Sequence, residues 1–415
     1  MNRNETLKLI MNSALKAALP QGKFKILPKK PKGKLLVIGA GKAAASMAKE
    51  FEKSYDGPIE GLVITRYGHT SKTKFVEVIE ASHPEPDMSG LLASKRIFNL
   101  AKKATVDDHV IFLISGGASS LLTLPADGLS FEEKQKINKE LLICGAPIDQ
   151  MNIVRRSLSK IKGGRLAEAI LPAKLSTYMI SDIPGDNPSY IGSGPTIEAT
   201  GKNSDALKIL DHYQIHIKQD IKNIILKNEL PKIPQSSTYM LANPMMALES
   251  AYETAKKIGY QPIIISDSLE GEAKVEGAKM AEIAIKIKKD KKFKNFNLNK
   301  PILLLSGGET TVTVKGNGKG GRNTEFMLSM AISLGQIKGI SALSIDTDGI
   351  DGIEDNAGAY ICEETLKKAQ LINLKPELFL ENNDSYSFFQ KIDDLIFTGP
   401  TLTNVNDFRL VLIEP

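Results

Sequence analysis

Val37-Ile38-Gly39-Ala40-Gly41-Lys42-Ala43-Ala44-Ala45-Ser46 reads as an apolar strand, a tight turn and the start of a helix. The turn has the form G-x-G-x-x-A. Glycines let the backbone approach a ligand closely, and a helix start offers N–H groups and the positive end of a dipole to an anion. Lys42 adds a cation where a phosphate would lie. Close strand–helix packing alone would explain the same glycines. The acidic residue that NAD binding expects at the end of the next strand is missing, since Thr65-Arg66 stands there. No G-x-x-x-x-G-K-[ST] occurs, so this is not a P-loop chain.

Outward from this turn, strand and helix patterns alternate almost throughout. That predicts an α/β fold with largely parallel sheets. Strands are expected at Lys34 to Ile38, Gly61 to Thr65, Phe75 to Glu80, Ile111 to Ile114, Leu175 to Ile180, Thr238 to Leu241, Pro262 to Ile265, Ile302 to Leu305, Ser341 to Ile345 and near Arg409 to Ile413. Two strands end in the same letters. Ser115-Gly116-Gly117 is followed by Ala118-Ser119-Ser120, and Ser306-Gly307-Gly308 by Glu309-Thr310-Thr311. Both read as turns whose N–H groups and hydroxyls form an anion-binding concavity. With 415 residues, two domains are expected. The Lys-rich segment Lys218 to Ser237, with Pro231 and Pro234, suggests a division into residues 1–235 and 236–415, and the last strand could return to the first domain. Lys289 to Lys294 reads as a charged, exposed connection.

Composition narrows the partners. The net charge of +6 comes from dispersed lysines, which favours small anions over nucleic acid. Cys144 and Cys362 form no disulfide or metal pattern. There is no signal-peptide pattern, and no apolar stretch approaches the roughly 18 to 20 residues of a membrane span. A soluble, cytoplasmic protein is expected. Only eight of the 54 basic residues are Arg, which marks arginines in Gly-rich segments as candidates for carboxylate or phosphate binding.

Five further segments carry candidate chemistry. Asn152 to Gly164 holds Arg155, Arg156, Lys160 and Lys162 before Gly163-Gly164, with Arg165 next; a solvated helix face is the plain alternative. Ser181-Asp182-Ile183-Pro184-Gly185-Asp186 follows a strand, so Asp182 and Asp186 are candidates for metal ligand or general base, or for turn capping. Gly316 to Glu325 puts Lys319 and Arg322 at a helix start, which the dipole disfavours unless an anion is present. Asp346-Thr347-Asp348-Gly349-Ile350-Asp351-Gly352 lacks the ligand spacing of a calcium loop and suits Mg²⁺ or hydroxyl recognition better. Thr398 to Asp407, with Asn404 and Asn406, is denser in short polar side chains than a connection needs. His69 and His83 read as loop histidines.

In this order the segments resemble class II glycerate kinases, the glycerate 2-kinase family with a C-terminal MOFRL domain. Gly318-Lys319-Gly320-Gly321-Arg322-Asn323, Thr347 to Gly352, Thr398-Gly399-Pro400 and Thr403 to Asp407 carry the likeness, over about residues 30 to 415. The resemblance implies transfer of the ATP γ-phosphoryl group to D-glycerate with Mg²⁺. It also implies a cleft between a Rossmann-like N-terminal domain, a parallel α/β/α sandwich, and a smaller α/β domain. Catalytic roles fall on Lys42 and Arg322. Asp186 is the candidate base, with Asp182, Asp348 and Asp351 as metal ligands. Gly39, Gly41, Ser115, Gly116, Gly117, Ser119, Arg155, Arg165, Ser306, Gly307, Gly308, Glu309, Asn323, Asn404 and Asn406 are the candidate binding residues. The competing expectations are an NADP-dependent hydroxypyruvate reductase, with Arg66 on a 2′-phosphate, and a sugar-phosphate-binding or isomerase module. A dimer is the base-rate expectation.

Overall fold

The apolar run Leu35–Ala40 forms β1, buried at all six residues. In the computed structural model, which describes residues 3–289, 297 and 299–415, it lies inside a six-stranded sheet. The other strands are β2 (Glu60–Arg66), β3 (Val76–Ala81), β4 (His109–Ile114), β5 (Lys174–Ile180) and β6 (Ser237–Ala242). Their order is β3-β2-β1-β4-β5-β6. β1 pairs in parallel with β2 and β4, β2 with β3, and β4 with β5. Unbroken apolar strands need cover on both faces. Leu36, Ile38 and Phe112 pack with Leu91, Ile97 and Ala101 of the helix Met88–Lys102. Tyr178 of β5 meets Phe51 of the helix Ala44–Ser54, ring centroids 6.0 Å apart. This is the doubly wound order, and its direction reverses between β1 and β4. Ligands of such sheets bind at the carboxyl ends of the two strands flanking that reversal. The Lys42 turn follows β1 and the Ser115 turn follows β4.

The unit Pro20–Leu241 carries a second apolar cluster. It joins the helices Phe131–Ile143, Ile148–Ser157, Asn203–His212 and Gln219–Lys227. The last lies in the segment expected to be a linker. Its Ile221 and Ile225, spaced four apart, give it a buried stripe despite the surrounding lysines.

The other unit comprises Met1–Leu19 and Ala242–Pro415. Its strands are β7 (Gln261–Ser266), β8 (Gly271–Glu272), β9 (Ile302–Gly308), β10 (Thr310–Thr311), β11 (Ile340–Asp346), β12 (Gly358–Ile361), β13 (Leu395–Ile396) and β14 (Asp407–Ile413). The main sheet runs β13-β12-β11-β14-β9-β7, and β8 pairs with β10 apart from it. Only β7 and β9 are parallel within the main sheet; every other pair is antiparallel. The expectation of largely parallel sheets therefore holds for the first unit alone. Nor does the last strand return to the first sheet. All seven residues of β14 are buried, and it takes a central place between β11 and β9.

The units also divide differently from the expected 235/236 boundary. The break falls after Leu241, and the first helix, Arg3–Ala18, joins the C-terminal unit. Ser250 Oγ donates to the Ser13 carbonyl at 3.0 Å, and Arg3 pairs with Glu363 at 3.2 Å. The charged connection from Lys289 to Lys294 falls, beyond its first residue, outside the described residues.

Ile10 of that first helix is fully buried. Ile10→Ala is expected to destabilise the C-terminal unit by about 2–5 kcal/mol, measured by urea unfolding. A loss under about 0.5 kcal/mol, the range of surface substitutions, would remove this helix from the core.

Candidate active site

Gly41 locks β1 to β4. Its φ is +136°, and a Cβ there would stand 2.1 Å from Ser115 Oγ. The amides of Gly41, Lys42 and Ala43 donate to the Ile64 carbonyl (3.0 Å), the Gly116 carbonyl (2.8 Å) and Ser115 Oγ (2.9 Å). These are the amides that the G-x-G-x-x-A reading offered to a phosphate. They are engaged inside the protein, so Gly39 and Gly41 serve the close approach of strands instead.

The turn after β4 is arranged the other way. Among the described residues the Gly116 and Gly117 amides donate to no protein acceptor. Gly117 has φ +79°, and a Cβ there would come 3.0 Å from the His83 ring and 3.3 Å from the Lys42 stem. Successive unengaged amides beside a lysine make an anion-binding concavity. His83 thus lies against the candidate site, a placement that its loop position disguised; the signal was its place in Ser82-His83-Pro84, just past a strand.

Behind this turn Ser119 Oγ lies 3.1 Å from Ser193 Oγ, which donates to Asn152 Oδ1 at 2.7 Å. Asn152 and Lys162 are fully buried, so the segment is not a solvated face. Arg155 is half-buried and makes no hydrogen bond or ion pair among the described residues. Arg165 differs. Its amino groups donate to the carbonyls of Arg156 and Lys162 at 3.0 Å, Glu229 at 3.1 Å, and Asn228. A guanidinium so occupied holds the backbone together and is withdrawn as a substrate ligand. Lys134, missed from the sequence, is also buried. Its signal was a lysine on the stripe Phe131, Ile137, Leu141 that the helix buries.

In the other unit Arg322 opens the helix Arg322–Leu334. Its Nε donates to Asp407 (2.8 Å), and its two amino groups to Glu309 and Asp346 (2.7 Å each). Burial alone would weaken its hold on the proton, but Asp407, Asp346 and Glu309 reverse this and keep its pKa well above the usual value. Asp351 Oδ1 accepts the Asn323 amide (2.9 Å), and Oδ2 accepts the Thr324 amide and hydroxyl (2.8 Å each). The anion demanded by a cationic helix start is therefore the protein's own carboxylate. Both Asp351 oxygens are committed to this cap, so it is withdrawn as a metal ligand. Asn323 donates to Asp407 at 2.8 Å and accepts from Ser344, also inside the protein.

Ser306, Gly307 and Gly308 lie within β9, with Gly307 opposite Phe408 and Gly308 opposite Asp407. This second copy is a paired strand, not a turn. The Gly307 carbonyl accepts from Arg409 at 3.3 Å. Of its candidate residues only Glu309, just past the strand, touches Arg322. Asp346 Oδ1 accepts the Asp348 amide (3.0 Å), and Asp348 Oδ1 the Ile350 amide (2.9 Å). Thr347 Oγ1 donates to the Asn406 carbonyl at 2.6 Å, and Asn404 Oδ1 accepts the Asn406 amide at 3.2 Å. Asn404 and Asn406 are both buried; Asn406 joins its loop to Thr347 through its carbonyl, and Asn404 braces Asn406 within the same loop.

Among the described residues no three His, Cys, Asp or Glu side chains gather into a metal centre. A Mg²⁺ carried on phosphate oxygens takes only one or two carboxylates. Asp182 and Asp186, half-buried past the carboxyl end of β5 beside β4, fit that mode. No helix among the described residues is long and apolar enough to cross a membrane.

The chain matches the family model of a domain of unknown function, DUF4147, over residues 6–226 and that of the MOFRL family over residues 302–407. It is 42% identical to a protein of Agrobacterium vitis that carries the provisional name of hydroxypyruvate reductase, covering 100% of this chain and 95% of that one. It is 39% identical to the D-glycerate 2-kinase of Thermotoga maritima, with 97% of each chain covered. The crystal structure of the glycerate kinase from that organism superposes with a TM-score of 0.89 at 38% identity, covering 99% of both chains. With both domain models matched and a near-complete superposition on a solved member, the chain belongs to the class II glycerate kinase family, a family of phosphotransferases.

Proposed function

We propose that the chain transfers the γ-phosphoryl group of ATP to the 2-hydroxyl of D-glycerate, yielding 2-phosphoglycerate and ADP. One observation carries the reading: Lys42, His83 and the unengaged amides of Gly116 and Gly117 converge where the strand order reverses. Phosphoryl transfer asks little covalent chemistry of a protein and much positioning of donors around gathering negative charge. The Gly116 and Gly117 amides and Lys42 hold phosphate oxygens. The glycerate hydroxyl oxygen attacks the γ-phosphorus, the bond to the ADP oxygen breaks, and Asp186 receives the hydroxyl proton. Asp182 is the residue suited to hold Mg²⁺, which neutralises phosphate charge when bound. Arg322, on which the family resemblance places a catalytic role, supplies positive charge during turnover. Glu309, its most exposed partner at 49%, is the one an anionic ligand replaces.

The reductase reading draws on the names of two relatives and on the doubly wound sheet. It meets an obstacle in the amides of Gly41, Lys42 and Ala43, which a dinucleotide pyrophosphate would need. Hydroxypyruvate is expected to leave NADPH absorbance unchanged; steady oxidation would favour the reductase.

Incubation with ATP, Mg²⁺ and D-glycerate should give 2-phosphoglycerate by phosphorus NMR. Formation of 3-phosphoglycerate would reject the position, and no phosphoglycerate would reject the function. Lys42→Ala should lower kcat about 10²- to 10³-fold, as loss of one donor to transition-state charge does; near wild-type turnover would remove Lys42 from the mechanism. Arg322→Ala should lose on the order of 10³-fold or more in turnover. Because it takes a shared cation from buried Asp346 and Asp407, it should also lose about 3–5 kcal/mol of stability and melt earlier. Retained activity in that variant would refute its role.

A further inference from the structure

Lys134, Arg155 and Lys162, in the unit Pro20–Leu241, have no carboxylate beside them among the described residues. Lys134 is 1% exposed and Lys162 0%. Lys134 Nζ donates to Thr123 Oγ1 at 2.9 Å, and Lys162 Nζ to the Gly192 carbonyl at 3.1 Å. Arg155 donates to nothing, and none of the three forms an ion pair, among the described residues. The three sense one another. Burial pushes Lys134 down to about 8, with Arg155 adding to it. Lys162 is lowered further by burial, then by Lys134 and Arg155.

The surroundings are donors too. Asn152, one helical turn before Arg155, is 0% exposed. Its Oδ1 accepts from Ser193, while its Nδ2 has no partner among the described residues. Ser193, next to Gly192, holds φ +64° and reaches Ser119, two residues past Gly117. The cluster therefore adjoins the turn where phosphate is proposed to bind.

A buried charge without a counter-charge costs stability, and like charges near one another cost more. A buried polar donor left unmatched adds to that cost. Each of these costs is removed by one small anion. We infer that Lys134, Arg155, Lys162 and Asn152 form an anion-binding subsite that takes the carboxylate of the phosphoryl acceptor. The identity of that acceptor rests on the function proposed above; the anion site rests on burial and missing counter-charge. The Gly116 and Gly117 amides with Lys42 already serve phosphate, which leaves the cluster to the acceptor's other end. A planar guanidinium fork beside ammonium groups suits a carboxylate's two oxygens.

The test is thermal melting of the full chain without nucleotide, with D-glycerate, glycerol or inorganic phosphate. D-Glycerate should raise the melting temperature in proportion to its concentration, and glycerol, which lacks the carboxylate, should not. Arg155→Met and Lys162→Met should abolish the shift. Arg155→Met breaks no bond among the described residues, so it should melt no lower than wild type before ligand is added, and it decides the matter if Lys162→Met does not fold. In turnover, both should raise KM for D-glycerate at least about tenfold, the worth of one charge-assisted hydrogen bond, with KM for ATP unchanged. A D-glycerate shift that survives in Arg155→Met overturns the proposal, as does no shift with any anion. A shift with phosphate alone overturns the carboxylate assignment. Since melting needs no ATP, an inactive enzyme that still shows the shift separates failure of the kinase reading from failure of the subsite.

Discussion

The contact on which the first unit turns is the seam between β1 and β4. Gly41 comes so close to Ser115 that no side chain fits, and the amides of residues 41 to 43 are drawn into the protein. This fixes where Lys42 begins its side chain. It also makes Ser115 a structural prop, with its hydroxyl beneath Ala43. The next two amides, of Gly116 and Gly117, are left over. A sheet whose order reverses at this seam has its crevice there because the crossing helices part to opposite faces. The candidate anion-binding turn is thus a consequence of strand order as much as of its glycines.

The two units handle charge in opposite ways. Around Arg322 the buried carboxylates meet cations or fixed amide and hydroxyl donors. Asp407 joins Arg322, Asn323 and Arg409, and Asp351 caps the helix. Such matched networks hold a shape, and removing one member leaves the others exposed to the low-dielectric interior. Around Lys162 the cations have only hydroxyl, carbonyl and amide neighbours. Proteins keep unmatched groups of this kind where binding needs them, and lose stability in doing so. The contrast separates arginines that look alike in composition: Arg165 and Arg409 are structural, Arg155 awaits a partner, and Arg322 does both jobs only if Glu309 yields.

Much of the fold was legible in local pattern. Apolar runs such as Ile111–Ile114 and Ile302–Leu305 could only be buried strands, and alternation with amphipathic helices implied a layered α/β architecture. The helix Gln219–Lys227 escaped because its two buried isoleucines stand among lysines and near prolines. The candidate site was half legible. Glycine turns, the Arg322 segment and Asp182 to Asp186 announced themselves by composition. His83, Lys134 and Asn152 did not, because each looks ordinary in its own stretch.

The sequence by itself determined the elements, the G-x-G-x-x-A turn after β1 and the stock of charged residues near glycines, since these follow from neighbours within a few positions. Tertiary structure alone decided what the repeated Ser-Gly-Gly would be. After β4 the pairing stops at Ile114 and the letters become a turn; in β9 the neighbouring β14 pairs with all three, down to Asp407 opposite Gly308, and they remain strand. It also decided which cations find a carboxylate. Pairing and burial depend on segments far apart in the chain, and no local pattern carries that information.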